Sequence, residues 1–303
     1  MIVNKVELES SMRKILFGCD FMEFYKMQGA GNDFIIINNI ELNIPVEKLP
    51  IIAKRLCQRK VSIGADGFMV VDYPDGDADF KMRFYNQDGS IGEMCGNGAR
   101  CISRYAFLNK IVGRKMSFET VAGVVYSKVL EGRLVKVLLN KPEVIKLYND
   151  IKIDDKNYEY SYIELGNPGL PHAVVEYNFK QADEKDLRKV GSKIRYYHGF
   201  PKGANVNFFE VLNENTVSVK TFERGVEDFT LACGTGAAST AVALILKGYL
   251  KSNRVKVIVA GGELRIEVER KENKIDKLYL IGDTNIVAIG KVMDEDLSFS
   301  EVK

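Results

Sequence analysis

Short runs of alternating or continuous apolar residues, broken by Gly, Asn, Asp or Pro, recur along most of the chain and read as β-strands. In the first half they are MEFYKM (22–27), DFIIINN (33–39), GFMVVDY (67–73), KMRFYN (81–86), SFETVAG (117–123) and RLVKVLLN (133–140). The second half offers YSYIELGN (160–167), HAVVEYN (172–178), NVNFFEVLN (205–213), TVSVKTFE (216–223), VKVIVAGG (255–262), LRIEVER (264–270), KLYLIGD (277–283) and NIVAIGKV (285–292). Helical periodicity is rarer. Leu49, Ile52, Ala53 and Leu56 follow the i, i+3, i+4, i+7 rule, which predicts a surface helix over 46–59 with one buried face. Two more helices are predicted over 99–109 and 237–247, the second closed by Gly248 as its C-cap. The stretch AASTAVALIL within it is apolar or small nearly all round, as a helix enclosed by sheet requires.

The pattern runs twice. MCGNGAR (94–100) returns as ACGTGA (232–237), with Cys95 and Cys233 138 residues apart. Gly-Asn at 31–32 and at 166–167 puts Asn32 and Asn167 63 and 66 residues before their cysteines. Gly-Ala at 64–65 and 203–204 precedes them by 31 and 30, and Phe84 and Phe222 each by 11. Val-Ala-Gly at 121–123 and 259–261 ends 28 residues after each cysteine. Any single pair is noise, but five in one order at nearly constant offsets indicate two copies of one folding unit. The expected fold class is α+β: two pseudo-symmetric lobes with a cleft between them. Residues 22–140 form the first lobe and 141–282 the second, with the boundary near Asn140-Lys141-Pro142; residues 1–21 stand before them as an N-terminal extension or an upstream start.

Composition narrows the function classes. Forty-three basic and 41 acidic side chains are interspersed and leave a net charge of +2, so no nucleic-acid or other polyanion partner is expected. No apolar run approaches the roughly 18 residues of a membrane helix. Five cysteines (19, 57, 95, 101 and 233) form no regular framework, and no secretory layout precedes them, which predicts free thiols in a cytoplasmic protein.

The paired Cys-Gly-x-Gly-Ala segments carry the candidate chemistry. Glycine after the cysteine lets a ligand approach the backbone. The helix that follows aims unpaired N–H groups and its positive end back at the sulfur, which favours a lowered thiol pKa and a bound carboxylate. Two such sites across a cleft would set one sulfur on each face of a carbon next to that carboxylate. One thiolate removes a proton, the opposite thiol returns one, and the stereocentre inverts with no cofactor and no metal. A lone Cys-Gly turn is more often a buried small hydrophobe; its duplication argues for chemistry. Cys57 falls beside the buried face of the 46–59 helix and Cys101 lies deeper in the helix after Cys95, so both read as structural, while Cys19 lies in the extension. A cysteine hydrolase is the rival: it would pair one thiol with His172, since His198 reads as a surface residue, and leaves the second copy unexplained. An amino-acid-binding module without turnover is a further alternative. No Cys-x-x-Cys, Walker loop or full dinucleotide fingerprint is present.

KMQGAGNDF (26–34), GADG (64–67), FYNQDGS (84–90), MCGNGARC (94–101), GNP (166–168), ANVNF (204–208), FERG (222–225) and ACGTGA (232–237) together resemble the diaminopimelate epimerase family, over about residues 22–292. The resemblance implies lobes built as strongly curved, mostly antiparallel sheets around a central helix, the first completed by the last strand at about 283–293. It implies a cofactor-independent homodimer that interconverts LL- and meso-diaminopimelate, a step of lysine and cell-wall synthesis. Cys95 and Cys233 would be its acid/base thiols, with Glu223 and His172 near the reacting ammonium. Gly96, Asn97, Gly234 and Thr235 would hold the reacting carboxylate, and Asn32, Asn86, Asn167, Asn205 and Arg224 the rest of the substrate. Two departures stand out. The family usually writes Gly-Asn-Pro-His, whereas Gly169-Leu170-Pro171 here separate Asn167-Pro168 from His172. Its Glu-Arg-Gly-x-Gly-Glu-Thr run becomes Glu223-Arg224-Gly225-Val226-Glu227-Asp228-Phe229-Thr230, without the second glycine. Both border the expected substrate, so a racemase of another amino acid, such as histidine, is the alternative on this scaffold.

Overall fold

The computed structural model describes residues 22–92, 94–272 and 274–292; the expected extension at 1–21 and Cys19 lie outside them. The first copy supplies β1 (Glu23–Gly29), β2 (Asn32–Asn38), β3 (Gly67–Asp72), β4 (Phe80–Asn86), β5 (Lys115–Thr120), β6 (Gly123–Val129) and β7 (Leu134–Leu139). The second supplies β8 (Pro142–Ile153), β9 (Lys156–Leu165), β10 (Leu170–Glu176), β11 (Asn205–Asn213), β12 (Thr216–Glu223), the two-residue β13 (Asp228–Phe229), β14 (Arg254–Val259), β15 (Gly262–Lys271), β16 (Lys274–Asp283) and β17 (Asn285–Lys291).

The duplication is written in the pairing sense. From β1 to β7 the neighbours run antiparallel, parallel, antiparallel, parallel, antiparallel, antiparallel. The series β9, β10, β11, β12, β14, β15, β16 repeats that order. β7 pairs antiparallel with β16, Leu139 opposite Leu278, and so joins the lobes into one 17-stranded sheet. β8 follows β7 but pairs with β9, and β17 follows β16 but returns to β1.

Each parallel pair needs a crossover, and the crossovers are where the helices lie. α1 (Asn39–Leu42) and α2 (Leu49–Leu56) connect β2 to β3, α3 (Gly96–Leu108) connects β4 to β5, α4 (Glu184–Arg195) connects β10 to β11, and α5 (Gly234–Leu246) connects β12 to β14. α3 and α5 share one core with the inner faces of both lobes, through Ala99, Ile102, Ala106, Ala238, Val242, Leu278 and Leu280. α5 is buried at every position but one from Gly234 to Ile245, so its all-round apolar sequence is what its enclosure demands. Gly248, with φ 79°, ends it as expected. α2 and α4 cover the opposite faces of the parallel pairs. Leu49, Ile52 and Leu56 meet Ile35, Ile37, Phe68 and Val70; Leu187 and Ile194 meet Ala173, Val175, Val206 and Phe208. Cys57 and Cys101 are buried in these cores.

Candidate active site

Both inner helices start three residues earlier than their apolar periodicity suggests, at Gly96 and Gly234, which makes the preceding cysteines N-cap residues. Their backbones match: Cys95 has φ −113° and ψ 119°, Cys233 φ −113° and ψ 108°. A Cβ added to Gly96 or to Gly234 would meet the same atom, Leu280 Cδ2 on β16, at 2.9 and 2.7 Å. The two helix N-termini therefore converge on one leucine. The third residues of the caps are as tightly held: a Cβ on Gly98 would lie 2.1 Å from Met69 Cε, and one on Gly236 2.2 Å from Asn207 Oδ1. Glycine at these four positions lets the helix starts sit against the sheet and against each other.

The convergence opens a cavity of about 680 Å³. Of the residues expected in the site, Asn32, Cys95, Gly96, Asn97, Asn205, Glu223, Arg224, Cys233, Gly234 and Thr235 line it. Asn97 spans the lobes, its Nδ2 3.4 Å from Ala232 O. Three expected residues lie elsewhere. Asn86 closes its own turn, donating from Nδ2 to Ser90 Oγ at 2.9 Å, and Gln87 lines the cavity beside it. Asn167 is exposed in the turn between β9 and β10, and Leu170 lines the cavity instead. His172 is fully buried in β10, opposite Asn205, with Nδ1 3.3 Å from Asn207 Nδ2. Burial, reinforced by the charge of Arg224, pushes its pKa down to about 3, so the imidazole is neutral. Asp66, Met94, Val226, Phe229 and Leu231 also line the cavity without having been expected there. Asp66 carried a readable signal, because GAD at 64–66 aligns with GAN at 203–205 and so with Asn205.

The two sulfurs have different surroundings. Cys95 donates to Asn32 Oδ1 at 3.4 Å. The Asn32 amide is turned that way because its Nδ2 donates to Asp66 Oδ2 at 2.6 Å, and Arg59 holds both Asp66 and Asp33 at 2.8 and 2.6 Å. Cys233 instead accepts from the Gly236 N–H at 3.4 Å and lies 3.5 Å from Thr235 Oγ1. Arg100 marks a further difference. Its guanidinium is completely buried behind the first turn of α3, donating to Gly96 O at 3.2 Å and Asn97 Oδ1 at 3.0 Å, and Ala238 is its counterpart in the second copy.

The sequence argument predicts lowered thiol pKa values, and the cavity reverses that direction. Burial raises Cys95, and pushes Cys233 up to about 12. The N–H groups of Asn97 and Gly98 at Cys95, and Thr235 and Gly236 at Cys233, act the other way. Burial outweighs those N–H groups, and Glu223 adds negative charge beside both sulfurs. Burial also raises the Glu223 carboxyl. An anion formed here must be met by a charge the ligand brings. Among the described residues no group of three or more His, Cys, Asp or Glu is placed to hold a metal ion, and no helix is long and apolar enough to cross a membrane.

Fold and site together define an internally duplicated protein of two lobes, each aiming one cysteine-capped helix into a shared cavity. The architecture is that of a phenazine biosynthesis protein of the PhzF family from Bacillus anthracis (TM-score 0.68, 14% identity, 91% of this chain and 100% of that one). It is also that of a hydroxyproline epimerase from Agrobacterium vitis (TM-score 0.64, 13% identity, 90% and 92% covered). At these identities the likeness is one of fold. The diaminopimelate epimerase family model matches residues 24–145 and 165–287, one segment per copy, and the chain belongs to that family. Diaminopimelate epimerases of Aquifex aeolicus and Archaeoglobus fulgidus are 38% and 36% identical over 288 and 289 residues, each alignment covering 92% of this chain and 100% and 98% of the relative.

Proposed function

We propose that the protein is a diaminopimelate epimerase, an isomerase that interconverts the LL and meso isomers by exchanging a proton between two thiols. The observation that carries this reading is the convergence of two cysteine-capped helix starts on Leu280, with Glu223 and Arg224 on the same cavity. The reacting carboxylate lies between the first-turn N–H groups of α3 and α5, from Gly96, Asn97, Gly234 and Thr235. It brings the negative charge those dipoles favour, and the adjoining ammonium brings the positive charge that offsets Glu223 and a thiolate. One cysteine starts as the thiolate and the other as the acid, each sulfur facing N–H groups of its own helix start. The Cα–H proton moves to the thiolate on its own face, the other thiol's proton moves to the opposite face, and the reverse reaction begins from the exchanged state. Arg224 and Asn205 receive the distal carboxylate. His172, neutral and behind Asn205, supports that asparagine's strand rather than transferring a proton.

Purified protein in deuterated water is expected to convert LL-diaminopimelate to the meso isomer with one solvent deuterium at the inverted carbon. Inversion without label, or label without inversion, would sink the two-thiol reading. The displaced Asn167 and altered 225–230 loop favour keeping racemisation of histidine as a second reading; turnover of L-histidine but not diaminopimelate would establish it.

A cytoplasmic homodimer completes the proposal. Among the described residues β17 pairs only with β1, and Val287 and Ile289 on it are 57% and 54% exposed. An apolar edge strand of this kind invites a second copy across a twofold axis. Light scattering should report a dimer for the native chain and a monomer for Val287→Asp; a native monomer would refute it.

A further inference from the structure

The backbone of Glu227 is in the left-handed region with φ 58°. For a residue with a Cβ that conformation costs about 1 kcal/mol. The side chain shows what holds it there. Its Oε1 accepts from Gly225 N–H at 2.9 Å and from Arg195 Nη2 at 3.0 Å, and the Tyr196 hydroxyl donates to the same carboxylate. The Glu227 N–H donates to Glu223 O at 2.8 Å, closing the loop that carries Arg224.

Arg195 ends α4 and lies beneath a second loop. A Cβ on Gly203, whose φ is +62°, would be 1.7 Å from Arg195 Nη1, and the Ala204 N–H donates to Arg195 O at 3.3 Å. That second loop contacts Arg224 twice: Arg224 Nη1 donates to Lys202 O at 3.1 Å, and the Arg224 N–H to Asn205 Oδ1 at 2.8 Å. Arg224 is thus held between two loops, and each is fastened to Arg195, one through its guanidinium and the other through its backbone carbonyl.

We propose that Glu227 and Arg195 form a clasp that orders both loops before substrate arrives, which makes Glu227 a positioning residue for Arg224. The clasp rests, for its effect on substrate, on the reading that Arg224 receives the distal carboxylate. It ties the side chain of the left-handed residue in this loop at three points. The distal end of the substrate then meets a guanidinium already in place, and less ordering entropy is lost on binding.

The test compares the full-length native protein with Glu227→Gly and Glu227→Gln. Without ligand, amide hydrogen exchange in residues 202–205 and 223–228 should quicken about tenfold in the glycine variant, with thermal stability kept because the left-handed strain is relieved. KM for diaminopimelate should rise about fivefold with kcat within about twofold, and the glutamine variant should fall between, since it still accepts from Gly225 and Tyr196. Unchanged exchange in the 202–205 loop would overturn the clasp. So would a loss of thermal stability with kcat and KM impaired together, the mark of a merely structural residue. If the native protein leaves diaminopimelate unchanged, the functional reading fails, while faster exchange in both loops still upholds the clasp.

Discussion

Cys95→Ala and Cys233→Ala should each lower epimerisation by about three orders of magnitude, and the two variants should fail in different ways. The acid and the base are each worth roughly that much when positioned against the reacting carbon. Removing one sulfur leaves the other able to take a proton from its own face and return it there. In deuterated water each variant should therefore wash label slowly into one isomer with retention, and the two variants should choose opposite isomers. Mass spectrometry and chiral separation of the products read both outcomes. Each substitution removes only one heavy atom from a small residue, so circular dichroism and melting should change little. Full activity in either variant, or labelling of the same isomer by both, would end the two-thiol mechanism.

Arg224→Ala should raise KM for diaminopimelate by about 30- to 100-fold, the worth of a charge-assisted hydrogen bond to a carboxylate. The main chain at this point is held independently, by the Asn205 Oδ1 contact and by the Glu227 loop closure, so the truncation removes the guanidinium and leaves the loop. Lysine should restore only part of the loss, since an ammonium cannot match the planar fork. Some fall in kcat is expected as well, because binding energy at the distal end helps to fix the reacting carbon between the sulfurs. Steady-state kinetics on the LL isomer measure both. An unchanged KM would remove Arg224 from the binding set.

The parts of the fold that follow from local pattern were legible. Most strands announced themselves through alternation, and the enclosed helix α5 through its lack of a polar face. α4 was missed, although the duplication pointed to it: the first copy has a helix in its β2–β3 crossover, so the second copy needs one between β10 and β11. Its sequence, EKDLRKVGSKIR, hides the signal because only Leu187 and Ile194 among its apolar residues are fully buried. β8 carries a weak signal because half of its residues are exposed and only Ile151 and Ile153 are buried. Apolar periodicity in the inner helices begins only after the Gly-x-Gly caps, at Ala99 and Ala237, because caps are set by hydrogen bonding rather than burial.

Ten of the thirteen expected site residues meet on one cavity, and the exceptions have separate physical causes. Asn86 is occupied as a turn former. Asn167 is exposed in the turn between β9 and β10, away from the cavity. His172 is buried in β10 against Asn207, and the pKa near 3 that burial gives it is a property of packing that no motif encodes.

By itself the sequence determined the duplication, the two Cys-Gly-x-Gly-Ala segments, the α+β class and the family resemblance, since each is a matter of residue order and spacing. The tertiary structure alone decided that both caps converge on Leu280, that Arg100 is buried behind one of them, and that Glu227 takes a left-handed turn to reach Arg195. It also decided the direction of the thiol shifts. The helix dipole is local and can be read from a cap motif; desolvation depends on everything that surrounds the sulfur, and those surroundings come from both lobes at once.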